Sequence, residues 1–149
     1  MDVSTAPADW EVHCLPGAKF QHVTRVLKKL KSRQESKLSN IIIQVGINNK
    51  DDPTDVVKER IFNLETEAQD LADNIVLAGI SYAADLDLTR KLNLDKINQL
   101  LKKTNYKYME PIPSSQLSLR SPGIDDIHFD KDSINLILQE VVKFIHDLN

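Results

Sequence analysis

The stretch NIIIQVG, residues 40–46, constrains this chain more than any other feature. A β-branched run of this kind, closed by Gly46, reads as a strand buried on both faces. A second such run, NIVLAGI, follows at 74–80. Between them Pro53 opens a segment in which Val57, Ile61, Leu64, Ala68 and Leu71 recur at helical spacing. Two buried strands joined by an amphipathic helix imply parallel pairing through a right-handed crossover.

The rest of the chain repeats the alternation. WEVHCL (10–15) reads as a strand closed by Pro16-Gly17. The helix after it places Phe20, Val23, Leu27 and Leu30 on one face. A helix over about 87–103 turns Leu94, Ile97 and Leu101 inward, and YKYME (106–110) is a further strand halted by Pro111 and Pro113. Residues 111–130 read as a long irregular loop. The last helix starts at Asp130 or Asp132 as N-cap and buries Ile134, Ile137, Leu138, Val141 and Ile145. The expected fold class is α/β: a three-layer sandwich, one domain over 1–149, with 1–9 a flexible lead.

Composition excludes several functions. With 19 basic and 22 acidic residues the net charge is −3, which gives no global field for nucleic acid. One cysteine, Cys14, rules out an internal disulfide and a cysteine-based zinc site. It points to a reducing, intracellular and cytoplasmic setting. No apolar run approaches the ~20 residues that span a bilayer, so no membrane role is expected. No phosphate-binding glycine loop or dinucleotide fingerprint is present, and no cofactor or metal is expected.

In open parallel sheets, ligands bind beyond the carboxyl ends of the strands. Three segments belong to that edge: Pro16-Gly17, Gly46-Ile47-Asn48-Asn49, and the loop carrying Asp125-x-x-His128. A glycine amide and an asparagine side-chain amide there are suited to donate to one developing oxyanion. A histidine on a neighbouring loop is suited to act as general base, oriented by an aspartate. Each segment alone has an ordinary reading: a turn glycine, a capping asparagine, loop polar residues. Cys14 reads as a small buried hydrophobe, and His13 and His22 as surface histidines. Lys28, Lys29, Lys31 and Arg33 suit the end of a helix dipole and read as a solvated face. Ser114, Ser115 and Ser118 read as loop residues, and Ser81 as a residue of the carboxyl edge.

LPGAKF, IIIQVGINN and DDIHF, in that order, resemble the later motif blocks of the SGNH (GDSL-type) hydrolases. The likeness runs from about residue 10 to the C-terminus. CLPGAKFQHV is also similar to SGNH-like domains encoded by transposable elements. The resemblance implies a flavodoxin-like parallel sheet and ester hydrolysis through a serine. It makes Gly17 and Asn48 oxyanion donors, His128 the base and Asp125 its partner. Two departures stand out. Asn49 occupies a position where the family often has Asp. The family's opening strand ending in Gly-Asp-Ser has no counterpart before Asp2-Val3-Ser4, so Ser4 is a nucleophile without rigid support. The implied protein is an N-terminally truncated esterase domain lacking its first central strand, with weak or absent turnover of small esters. The alternative is a non-catalytic α/β interaction module that takes a protein partner at the open sheet slot.

Overall fold

The computed structural model describes residues 11, 13, 15, 17–33, 36–121 and 128–148. Among these the chain forms an α/β fold of four α-helices and a parallel three-stranded sheet. The elements are α1 (Phe20–Arg33), β1 (Leu38–Ile43), α2 (Thr54–Ala68), β2 (Ala72–Ala78), α3 (Leu88–Lys102), β3 (Lys107–Met109) and α4 (Lys131–Leu148). They fall into two compact units. One comprises Gly17–Ser81 and Asp87–Pro111; the other comprises Met1–Pro16, Tyr82–Leu86 and Ile112–Asn149.

The first unit holds the sheet. Its order is β1-β2-β3, with Ile41 opposite Ile75 and Leu77 opposite Tyr108. α2 packs against both α3 and α1, as expected when two right-handed crossovers run the same way across a sheet. The apolar spacing works as expected. Val57, Ile61, Leu64 and Ala68 of α2 are buried, as are Leu94, Ile97 and Leu101 of α3. In α1, Phe20 and Leu27 are buried while Val23 and Leu30 are half-buried. Pro53 stands at the N-cap of α2, and the Asp87 carboxylate accepts from the Arg90 amide to cap α3. In β2, Ile75, Val76, Leu77 and Ala78 are all buried.

Two expectations are corrected here. β1 was expected to be buried on both faces, yet Leu38 and Ser39 are exposed and Ile41 and Ile42 half-buried. The reason is its place in the sheet: among the described residues only β2 pairs with it. The expected strand at 10–15 is also not formed at Glu11, His13 or Leu15, which are exposed and outside any ladder; Trp10, Val12 and Cys14 lie outside the described residues. A strand is stabilised by a partner that sequence alternation does not supply. The flexible lead expected at 1–9 also lies outside the described residues.

In the second unit the expected irregular loop carries structure. Residues 114–116 form a 3-10 turn, and Leu119 pairs with Phe129 in an antiparallel bridge. Arg120 N donates to the His128 carbonyl at 2.9 Å, and Asp130 N to the Ser118 carbonyl at 2.9 Å. In α4, Ile137, Leu138 and Ile145 are buried, but Ile134 is 39% exposed. Its neighbour Ser133 takes the inward position, because its hydroxyl accepts from Ser118 N at 2.8 Å.

Asp130, not Asp132, caps α4: its Oδ1 accepts from Ser133 N at 2.8 Å. Hydrogen bonds from the Ser133 backbone and hydroxyl hold the Asp130 carboxyl below the usual carboxylate range. A depressed folded-state pKa stabilises the fold above the unfolded-state value, and that contribution vanishes as pH falls through the folded value. Asp130→Ala is therefore expected to lower the thermal midpoint at neutral pH and to match the parent in strong acid. Equal differences at both pH values would show that the charged cap contributes nothing.

Candidate functional site

The best-defined part of the proposed site lies at the carboxyl end of β1. The strand ends at Ile43, and three residues later Gly46 adopts φ 126°, a conformation that L side chains rarely enter. The chain then tightens into a 3-10 turn over Ile47–Asn49. A Cβ on Gly46 would lie 2.6 Å from Ile80 Cδ1 and 2.7 Å from Phe20 Cζ. Only a glycine allows the loop to pass this close to both.

The turn presents two asparagines to the start of α1. Asn48 Nδ2 donates to the Ala18 carbonyl at 3.1 Å. Asn49 is fully buried; its Oδ1 accepts from Phe20 N at 3.0 Å and its Nδ2 donates to Asp52 Oδ2 at 2.8 Å. Phe20 N–H is a first-turn amide with no partner inside the helix, so Asn49 caps α1 from 29 residues away. His22 Nδ1 accepts from Lys19 N at 2.9 Å, the return half of a capping box. Lys19 Nζ lies 3.6 Å from Asp52 Oδ1. From the other side, Asn93 Nδ2 donates to the Lys50 carbonyl and Arg90 Nε to Asp51. The loop is thus fastened to α1 and to α3.

Gly17 immediately precedes this clasp, in the left-handed region at φ 69°, and a Cβ there would meet nothing within 4 Å. Gly17 and Asn48 are therefore brought close: the amide of one lies one residue from the acceptor of the other. The bond to Ala18 uses one of the two Asn48 Nδ2 protons. Lys50 is largely buried, at 8% exposure, on the same loop.

Beyond β2 the carboxyl edge is fixed by Asn98. Its side chain accepts from Ile80 N at 2.7 Å and donates to Ile80 O at 3.0 Å, as a neighbouring strand would. Gly79 N donates to Met109 O at 2.8 Å and extends the pairing with β3. Ser81 follows, buried and engaged. Tyr108, on β3, is pushed up to about 12 by burial and by the nearby Glu110 carboxylate, so its hydroxyl stays protonated.

His128 belongs to the other compact unit. It is exposed, in the strand-like pairing opposite Arg120 and three residues before the start of α4. Ser4 and Asp125 lie outside the described residues. His13 is exposed, with Nε2 2.8 Å from Glu11 Oε1. Among the described residues no three His, Cys, Asp or Glu side chains group as a metal site would require. No helix of the described residues is long and apolar enough to cross a membrane.

Asn49 and Asn98 were missed as organising residues. Asn98 had a legible signal, a polar side chain at apolar helical spacing with Leu94 and Leu101. Asn49 had none beyond its departure from the family motif.

No protein-family model matches the chain, and no curated protein matches it in sequence.

Proposed function

We propose that this chain is an SGNH-type ester hydrolase domain with weak or absent turnover of carboxylic esters, working inside the cell. Gly17 N–H and Asn48 Nδ2 are the oxyanion donors, His128 is the base, Asp125 orients it and Ser4 is the nucleophile of the ancestral chemistry. In that chemistry a serine oxygen adds to the ester carbonyl as the base takes its proton. The alcohol then leaves with that proton, and water releases the acid. The observation that carries the reading is the 3.1 Å bond from Asn48 to Ala18, which sets the side-chain donor beside Gly17 at the carboxyl edge of a parallel sheet.

The weak-turnover part rests on the sequence at Ser4, which reads Asp2-Val3-Ser4 where the SGNH pattern has Gly-Asp-Ser. The test uses p-nitrophenyl acetate and a fluorophosphonate probe on the parent chain and its Ser4→Ala, His128→Ala and Asn48→Ala variants. We expect slow hydrolysis and no labelling. The slow rate should fall about tenfold or more without His128 or Asn48 and stay level without Ser4. Fast hydrolysis abolished by Ser4→Ala would overturn the weak-turnover reading. Equal inertness of all four would leave the second reading, a non-catalytic interaction module. One observation favours that reading: the outer edge of β1 has no strand partner among the described residues.

A further inference from the structure

Among the described residues the outer edge of β1 has no strand partner, and α1, which leads into it, carries charge of one sign only. Leu38 N donates to Leu71 O, and the parallel register continues with Asn40 opposite Asn74 and Ile42 opposite Val76. Backbone groups alternate sides along a strand, so Leu38, Asn40 and Ile42 face β2. Ser39, Ile41 and Ile43 therefore aim their N–H and C=O groups away from β2; Ser39 is exposed and Ile41 half-buried, whereas Ile43 is 6% exposed. Natural edge strands are guarded by charges, prolines or bulges. β1, Leu38-Ser39-Asn40-Ile41-Ile42-Ile43, has no proline or charge, and Leu38 is 39% exposed.

The neighbouring helix selects the occupant. α1 begins where Asn48 and Asn49 hold Ala18 and Phe20, at the carboxyl end of β1. It ends at Arg33, five residues before Leu38 opens β1. It therefore runs in the opposite sense to β1, packed against α2, and its last turn leads within five residues into the amino end of the strand. Its sequence, FQHVTRVLKKLKSR, carries Arg25, Lys28, Lys29, Lys31 and Arg33 and no carboxylate. All five cations are exposed, and among the described residues none pairs with an acid. The whole chain is net negative, so this helix is an island of opposite charge. The helix dipole accounts for cations in the last turn, but not for Arg25 or for the absence of any acid along the helix.

We propose that the outer edge of β1 takes up an extended acidic segment of a partner protein as an added strand. Ser39 and Ile41 supply the backbone ladder, and the α1 cations meet carboxylates at the end of the strand near Leu38. Main-chain pairing gives such augmentation its affinity and flanking charge gives it selectivity. A second copy of this chain is the wrong occupant. Two-fold pairing through β1 would set two α1 helices, five cations each, side by side with no acid between them.

The test uses two fluorescein-labelled octapeptides, DEVTVTVT for parallel and TVTVTVED for antiparallel addition, and residue-resolved amide exchange on the full chain. Ester turnover plays no part in the readout, so its outcome is independent of the hydrolase reading. We expect one peptide to bind and to slow exchange at Ser39 and Ile41. Leu38, Asn40 and Ile42, already bonded to β2, should not change. A peptide with proline at its centre should not bind. The joint Lys28→Glu, Lys29→Glu, Lys31→Glu, Arg33→Glu variant should keep its thermal midpoint within a few degrees and bind on the order of tenfold more weakly. Four outcomes overturn the proposal: binding unaffected by the charge reversal, binding without protection at the Ser39 and Ile41 amides, protection there in the dilute free chain, or dimerisation through them. Preferential binding of poly(U) at α1 would likewise overturn it in favour of a nucleic-acid surface.

Discussion

Gly46→Ala is expected to lower the unfolding free energy by about 3–5 kcal/mol, combining backbone strain with overpacking. Both contributions are visible in the loop. Gly46 sits at φ 126°, outside the left-handed helical region that other residues occasionally adopt. Its missing Cβ leaves room for the Phe20 ring and Ile80 Cδ1, which would otherwise stand at 2.7 and 2.6 Å. Neither neighbour has space to withdraw, since Phe20 is fully buried and Ile80 is 5% exposed. Gly17→Ala is the control. It also has positive φ, but a Cβ there meets nothing within 4 Å, so only strain of about 1 kcal/mol is expected. Urea unfolding of both variants separates the effects, provided the slope with denaturant is unchanged. Equal losses would mean that the close approach of loop, α1 and β2 is not what requires glycine. Because domains are stable by only about 5–15 kcal/mol, the larger loss would also loosen the turn that aims Asn48.

The α/β architecture was legible because its signals are local. The runs at 40–46 and 74–80 and the stripes of α2 and α3 are patterns within one element; the burial of β2, α2 and α3 follows from them, while that of β1 depends on its neighbours in the sheet. What failed depended on partners distant in the chain. WEVHCL alternates like a strand, yet Glu11, His13 and Leu15 have no ladder, and alternation does not name a neighbour. Ile134 fits the apolar period of α4, but Ser133 turns inward because Ser118, 15 residues earlier, offers an amide to its hydroxyl. The site shows the same division. Gly46 and Asn48 stood out as residues after an apolar run that reads as a strand. That Asn48 would bond Ala18 and Asn49 would cap Phe20, 30 and 29 residues away, follows from the 3-10 turn and is not written in either asparagine. The two look alike in sequence, and the turn alone decides that the second is the buried one.

Asn49 is the position at which the family resemblance and the structure make different demands, and substitutions there separate them. Asn49→Leu keeps the approximate volume but leaves Phe20 N–H buried without an acceptor, at a cost of about 1–3 kcal/mol. It also removes the donor to Asp52, which Lys19 and solvent partly compensate because the Asp52 side chain is 23% exposed. Asn49→Asp, the residue frequent in SGNH hydrolases, retains an oxygen for Phe20 N and gains from the positive end of α1. Against that, it sets a second carboxylate where Nδ2 now donates to Asp52 at 2.8 Å. Two carboxylates this close do not both ionise readily, so one acquires a raised pKa in the folded state. A raised folded-state value favours the fold in acid, and the benefit is lost as pH rises through that value. Asn49→Asp is therefore expected to be roughly 2–4 kcal/mol less stable than the parent at neutral pH and to recover much of the difference in mild acid, where the pair shares a proton. Asn49→Leu introduces no titrating group and should keep most of its deficit in acid, because the unpaired Phe20 amide does not titrate. Denaturant unfolding of the three proteins across this pH range reads both trends. If Asn49→Asp matches the parent at neutral pH, the Asn49–Asp52 bond does not hold the loop, and the clasp on α1 rests on the Phe20 amide and the Asn48–Ala18 bond alone.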